Sequence, residues 1–194
     1  ALRQNPVKAY PLKFLWRETF EWAADVADES TATKAGPNTP RYETNGVLAF
    51  SAGSEMEDQV QPLADAGAAR FVRVGGLLGL LPATYVTPTI TLTDILGDQV
   101  VGFRRYRPSS ELATEVSATY SSPERLYEDA TTPAYIIPGA QDADGGESSP
   151  RQVDLRFITD HRQAQRVSKI FGMRTRMQRA LSGTFPPAAF ALVG

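Results

Sequence analysis

Residues 70–81 read Arg-Phe-Val-Arg-Val-Gly-Gly-Leu-Leu-Gly-Leu-Leu, two short apolar runs joined by a pair of glycines. Gly75 and Gly76 can both take the positive φ angles that a two-residue hairpin turn requires. Each flanking run has the length and composition of a strand. The stretch therefore predicts an antiparallel β-hairpin, which favours an α+β fold over a doubly wound parallel sheet.

Two helices are predicted on either side of a Thr-, Gly- and Pro-rich loop that precedes this hairpin. The first covers Trp16 to Glu29, with one apolar stripe made of Trp16, Phe20, Ala23, Val26 and Ala27. The second begins at a capping-box pattern, Ser54 followed three residues later by Glu57, and ends at Gly67. Pro62 lies inside the second helix and predicts a kink or a shortened helix, because its ring removes one backbone donor.

A third helix, over residues 160–179, carries most of the cations in the last part of the chain. Asp160 with Gln163 forms another capping-box pattern, and Ala164, Val167, Ile170 and Phe171 share one face. The opposite face carries Arg162, Arg166, Lys169 and Arg176. No Asp or Glu occurs from His161 to Gly194, although the chain as a whole has 20 Lys and Arg against 22 Asp and Glu. This basic stripe predicts either a contact with an acidic neighbouring surface or nucleic-acid binding.

Further strands and loops follow from alternation and from turn residues. The remaining strand predictions are residues 42–50, 89–93, 100–107, 115–120, 134–137 and 153–157. Residues 121–132 are predicted to form a polar loop, 138–150 a linker or exposed hairpin tip, and 181–194 an extended segment. The sequence thus predicts an α+β fold with about three helices, arranged as a small module over residues 1–95 and a β-rich unit over 96–194.

Composition removes several classes of chemistry. The 194 residues contain no cysteine and one histidine, so disulfides, thiolate zinc sites, thiol nucleophiles and His-rich metal sites are excluded. No apolar run approaches the roughly 20 residues that a membrane helix needs. The chain begins with Ala1 and not with Met, and we expect it to be a piece of a longer protein.

Three local patterns are candidates for chemistry. His161 stands alone at a helix start, where a surface or capping role explains it. The loop over residues 141–147 is similar to an oxygen-ligand calcium site through Asp142, Asp144 and Glu147, but it lacks the EF-hand register and is also typical of a flexible acidic tip. The run over residues 104–107 places Arg104, Arg105 and Arg107 around Tyr106, which suits an intersubunit seam or a nucleic-acid strand. No catalytic residue, cofactor or metal site is predicted.

The order of five motifs resembles the central region of phage tail tip attachment proteins, the lambda J-like host-specificity proteins of long-tailed phages and prophages. The motifs are Pro40-Arg-Tyr-Glu-Thr-Asn-Gly-Val-Leu48, Arg70 to Pro82, Pro88 to Asp94, Val116-Ser-Ala-Thr-Tyr-Ser-Ser-Pro-Glu124 with its "sPE" turn, and Asp154 to Ile170 with its "AQR" helix.

The resemblance implies hub-like, antiparallel β-rich domains, as small sheets or a split barrel, similar to the baseplate hub of contractile tails. It implies a virion protein made in the host cytoplasm and placed at the tail tip, where it closes the tail tube and scaffolds the receptor-binding region. The implied partners are further copies of the chain in a homotrimer and other tail-tip and tail-tube proteins. DNA would pass through the ring without specific binding, and no membrane span is expected.

The resemblance implies a protein that is not an enzyme. The Arg and Lys residues named above in residues 104–107 and 160–179 form its possible interaction surface. A tail-tip domain that acts on peptidoglycan through Glu124 or Asp129 and a DNA-contacting module remain as alternatives.

Overall fold

The computed structural model describes residues 10–34, 36–48, 56–87 and 101–183, of which residues 56–59, 101, 181 and 183 are described by their backbone. In these ranges the α-helices are α1 (Arg17–Asp28), α2 (Met56–Ala66), α3 (Ala140–Ala143) and α4 (His161–Thr175). The strands are β1 (Ser30–Thr31), β2 (Thr39–Pro40), β3 (Arg70–Val74), β4 (Leu77–Leu81), β5 (Val101–Arg104), β6 (Glu115–Ser122), β7 (Glu128–Thr131), β8 (Tyr135–Ile136), β9 (Pro150–Leu155) and β10 (Ala180–Gly183).

The α+β fold class is confirmed, with three longer helices and small, mostly antiparallel sheets over the described ranges. The predicted strand at residues 89–93, the Ser54–Glu57 cap and the extended segment beyond residue 183 lie outside the described residues. None of the described helices is long and apolar enough to cross a membrane.

The predicted hairpin is confirmed with its turn. β3 and β4 pair antiparallel from Arg70 opposite Leu81 to Val74 opposite Leu77. Gly75 and Gly76 have φ values of 57° and 83°, the positive pair that a type I′ turn requires. The hairpin is therefore determined locally, by two residues without a Cβ.

Helix α1 packs against this hairpin through a polar residue that its apolar stripe did not include. The buried residues of α1 are Thr19, Ala23 and Val26, while Trp16 and Phe20 are half-buried. The Thr19 hydroxyl donates to the Trp16 carbonyl at 2.7 Å and accepts from the Leu80 amide at 3.1 Å. Because both hydrogen-bonding roles are used, Thr19 can be buried at little cost.

β6 is the centre of a four-stranded sheet. It pairs antiparallel with β7 and β8 on one side and parallel with β9 on the other. The polar loop predicted at 121–132 is wrong: β6 continues to Ser122, a 3-10 turn covers Pro123–Arg125, and β7 follows. The exposed edge of β7 explains the error, since Ala130 is its one buried residue and the rest of the strand is polar.

Other boundaries also differ from the predictions. Residues 42–48 contain no strand, α4 ends at Thr175 and not at 179, and the linker at 138–150 contains the short helix α3. The helix around Pro62 is not shortened, because α2 continues through the proline to Ala66, immediately before the predicted end at Gly67.

Helix α4 covers the sheet and begins at the predicted cap. The Asp160 carboxylate accepts from the Arg162 amide at 2.9 Å, but Gln163 does not complete the capping box. Its amide instead donates to the carbonyls of Glu43 and Ala66, at 2.9 and 3.0 Å, and accepts from the Glu43 amide at 2.9 Å. Gln163 therefore links α4 to two distant segments.

The main core contains residues from both sides of residue 95. Its buried members include Val26, Tyr42 and Ala66 from the first part and Leu155, Ile158, Ala164 and Val167 from the second. The predicted inner face of α4 is confirmed at Ala164 and Val167, while Ile170 and Phe171 are half-buried. The division at residue 95 stays a prediction.

Candidate functional site

Three of the predicted cations of α4 lie along one groove, which we call the α4 groove. Its volume is about 900 Å³, and its walls come from the loop between β1 and β2, from Pro133–Tyr135 and from the first half of α4. Four Lys and Arg residues line it: Lys34, Arg162, Arg166 and Lys169. None of the described residues that line the groove is acidic.

Each cation of α4 is positioned by a different contact. The Arg166 guanidinium is half-buried and donates from Nη2 to the Arg41 carbonyl at 2.9 Å. The Lys169 ammonium lies 5.7 Å from the centre of the Tyr135 ring, within the range of a cation–π contact. The Arg162 guanidinium lies beside Gly36, where an added Cβ would be 3.5 Å from Nη1. The groove is thus cationic by construction, and its positive potential favours an anionic partner.

Arg176 belongs to a different surface. Its guanidinium forms two hydrogen bonds to the Asp144 carboxylate, at 2.6 and 3.0 Å, and both side chains are largely buried. This hydrogen bonding lowers the pKa of Asp144 below its ordinary value. Arg176 therefore joins the end of α4 to the loop that follows α3, and it does not line the α4 groove.

The same pair bears on the calcium-like pattern. Asp144 faces Arg176, while Asp142 and Glu147 are exposed to solvent. Within the ranges that the structure describes, no group of three or more His, Asp or Glu side chains could hold a metal ion. The acidic loop at 141–147 thus presents a carboxylate–arginine pair and not a converging set of oxygen ligands.

The arginines at 104–107 are dispersed. Arg104 is exposed at the end of β5, which pairs with β10, and Arg105 stacks 5.2 Å from the Tyr106 ring centre. Arg105 and Arg176 line a second groove of about 450 Å³, whereas Arg107 lines a third of about 370 Å³. The structure therefore does not join these arginines to the α4 groove.

The residues that would serve catalysis are exposed. His161 lies at one end of the α4 groove, with Nδ1 3.8 Å from the Asp160 carboxylate. Glu124 and Asp129 lie on the hairpin between β6 and β7, where both face solvent. Neither carboxylate lines any of the three grooves.

A cluster of buried ionisable groups lies under α4. Burial raises the pKa of Tyr42 and of Asp65, and burial lowers the pKa of Arg174. The Arg174 guanidinium donates to the Ala68 carbonyl at 2.7 Å. These groups connect the end of α4 to the end of α2, which gives them a structural role.

Sequence reasoning missed two members of the α4 groove, Lys34 and Tyr135. Lys34 lies in a loop without periodicity, and Tyr135 lies on a two-residue strand. Long-range packing brings both beside α4, and no local pattern indicates such packing.

The fold and the groove define a small α+β protein with a cationic contact surface. A family model described as "Putative phage tail protein" matches residues 55–193, and the chain belongs to this family. No curated protein matches the chain. Membership gives the protein a structural role in the virion tail, in association with other tail proteins.

Proposed function

We propose that this chain is a structural part of the tail tip, where it closes the tail tube as a homotrimer and scaffolds the receptor-binding region. The family match supports a tail protein. The resemblance of five ordered motifs to tail tip attachment proteins supports the position at the tip. In this role the chain acts through contacts, without catalysis and without a cofactor.

The observation that carries the proposal is that the first and last motifs pack directly on each other. The contacts between them are Gln163 with Glu43, the Asn45 amide with the Phe157 carbonyl at 2.8 Å, and Arg166 with the Arg41 carbonyl. Residues that carry the resemblance from positions more than 100 apart in sequence thus form one folded unit. This supports a shared architecture and not a chance order of short motifs.

The α4 groove supports a contact function. Its walls combine cations with the apolar surfaces of Pro133, Ala134 and Tyr135, which suits a protein segment with carboxylates and apolar side chains. Duplex DNA would be held mainly by phosphate contacts, and its binding would weaken steeply with salt. A gel-shift titration at two salt concentrations with the chain and duplex DNA distinguishes these readings, and we expect no shift at physiological salt.

Labelling tests the proposed position. Antibodies against the chain, imaged by electron microscopy on intact tails, should mark the single end distal to the capsid. Quantitative mass spectrometry of the same tails should give three copies per tail. Labels along the whole tube, or a copy number that scales with tube length, would contradict the proposal.

The absence of catalysis is tested separately. We expect no release of soluble fragments from purified peptidoglycan by the chain. If fragments are released, the variants Glu124→Gln and Asp129→Asn ask whether these carboxylates are responsible. Loss of release in either variant would establish the enzymatic alternative.

A further inference from the structure

The tip of the β6–β7 hairpin holds two large side chains in an unfavourable backbone conformation. Leu126 and Tyr127 have φ values of 55° and 65°, in the left-handed region that residues with a Cβ rarely adopt. The Tyr127 amide donates to the Ser122 carbonyl at 2.8 Å, and the Ser121 hydroxyl donates to the Tyr127 carbonyl at 3.1 Å. The tip is therefore fixed by hydrogen bonds although it is strained.

These two side chains gain no packing from this strain. Leu126 is 89% exposed and Tyr127 is 67% exposed. Glycine would form the same turn with less strain, so the fold alone does not explain a leucine and a tyrosine here. Preorganised, exposed aromatic and aliphatic side chains are typical anchors of protein interfaces.

The charge of the tip is opposite to that of the α4 groove. Glu124, Glu128 and Asp129 are exposed around the two anchors, with Arg125 as the cation of the tip itself. Arg156 is also near Asp129, but it is paired with Asp154. The groove has four cations, no acidic lining among the described residues, and an apolar wall at Pro133–Tyr135.

We propose that Leu126 and Tyr127 of one copy insert into the α4 groove of a second copy, with the tip carboxylates facing Lys34, Arg162 and Lys169. The exposure of Leu126 shows that the tip does not occupy the groove of its own chain. Tip and groove are different patches, so the contact is head-to-tail, and such contacts close into rings when the rotation permits. The proposal rests on the proposed function in that a ring would give the hub its closed form.

Engineered cysteines test this contact in the full chain. The chain has no cysteine, so each introduced thiol is unique. Arg125→Cys places a thiol at the tip without removing either anchor, and Gln165→Cys places one in the groove without removing a cation. After mixing and mild oxidation, the disulfide-linked heterodimer should form about tenfold more than with Tyr85→Cys as partner, a matched position that is 82% exposed outside the groove.

Charge reversal then tests complementarity. Lys34→Glu with Lys169→Glu, added to the Gln165→Cys chain, should return cross-linking to the control level. Glu124→Lys with Glu128→Lys, added to the Arg125→Cys chain, should restore it. Equal cross-linking of the Gln165→Cys and Tyr85→Cys partners would overturn the proposal.

Leu126→Gly separates folding from contact. It relieves the left-handed strain and removes the anchor, so it should raise the urea midpoint and lower cross-linking about tenfold. A variant with unchanged cross-linking would show that Leu126 is no anchor. Tails labelled at one end without this cross-link would refute the contact and leave the proposed function standing, and the reverse result would refute the function alone.

Discussion

Replacing Gln163 with alanine is the sharpest perturbation of this fold. The Gln163 side chain is 2% exposed, and its amide uses both donor hydrogens and its oxygen acceptor. It joins α4 to the Glu43 backbone and to the end of α2 at Ala66. Alanine would remove all three hydrogen bonds and leave a cavity where the amide was.

The expected loss follows from these contacts. A hydrogen bond contributes about 1 kcal/mol net, and an unsatisfied buried backbone group costs about 1–3 kcal/mol. The Ala66 carbonyl would be left in the buried contact, while the Glu43 groups are partly accessible to water. We therefore expect Gln163→Ala to lower the free energy of unfolding by about 3–4 kcal/mol.

Urea unfolding followed by circular dichroism measures this loss. Gln165→Ala is the matched control, since Gln165 is two residues further along α4 and exposed, and it should change stability by less than about 0.5 kcal/mol. Gln163→Leu fills most of the cavity without restoring the hydrogen bonds, so it should remain destabilised. A Gln163→Ala protein within about 1 kcal/mol of the Gln165→Ala control would refute the reasoning.

Three further predictions concern a glycine and two titratable groups. Gly46 has a φ of 150°, and an added Cβ would lie 2.6 Å from the ring of buried Phe157, so Gly46→Ala should cost about 2 kcal/mol more in urea unfolding than Gly145→Ala, where φ is 74° and no atom lies within 4 Å. Asp144→Asn should lower the urea midpoint at pH 7: the lowered pKa of Asp144 means that its stabilisation is present above the ordinary value of 3.8 and lost as the pH falls through the lowered pKa, so variant and wild type should converge in acid. Burial raises the pKa of Tyr42 above 10.0, so the wild type should lose stability as the pH rises through the raised pKa, and Tyr42→Phe should lose less; identical alkaline profiles would contradict this.

Local patterns were sufficient where a few adjacent residues determine the structure. Gly75 and Gly76 specify their own turn, and the inner face of α4 follows from the period of Ala164 and Val167. The same logic failed at 121–132, because β7 is an edge strand whose residues mostly face solvent and therefore show no apolar alternation.

The site needed information that no local pattern contains. Arg162, Arg166 and Lys169 were predicted as one stripe, and the structure places them along one groove. The spacing of Arg176 puts it on the same stripe, yet its pairing with Asp144 assigns it to another surface. Helical periodicity determines which residues share a face, but long-range partners determine which of them are available for contact.

Helix α4 illustrates how one element can serve stability and contact with separate residues. Gln163 faces inward and holds the Glu43 segment, while Lys169 faces the groove and is exposed. Loss of Gln163 should therefore weaken folding first and contact only through the displaced groove wall. Reversal of Lys34 and Lys169 should weaken contact at unchanged stability, because both side chains are exposed. Since the two kinds of variant move different measurements, a defect in tail assembly can be assigned to the groove or to the fold.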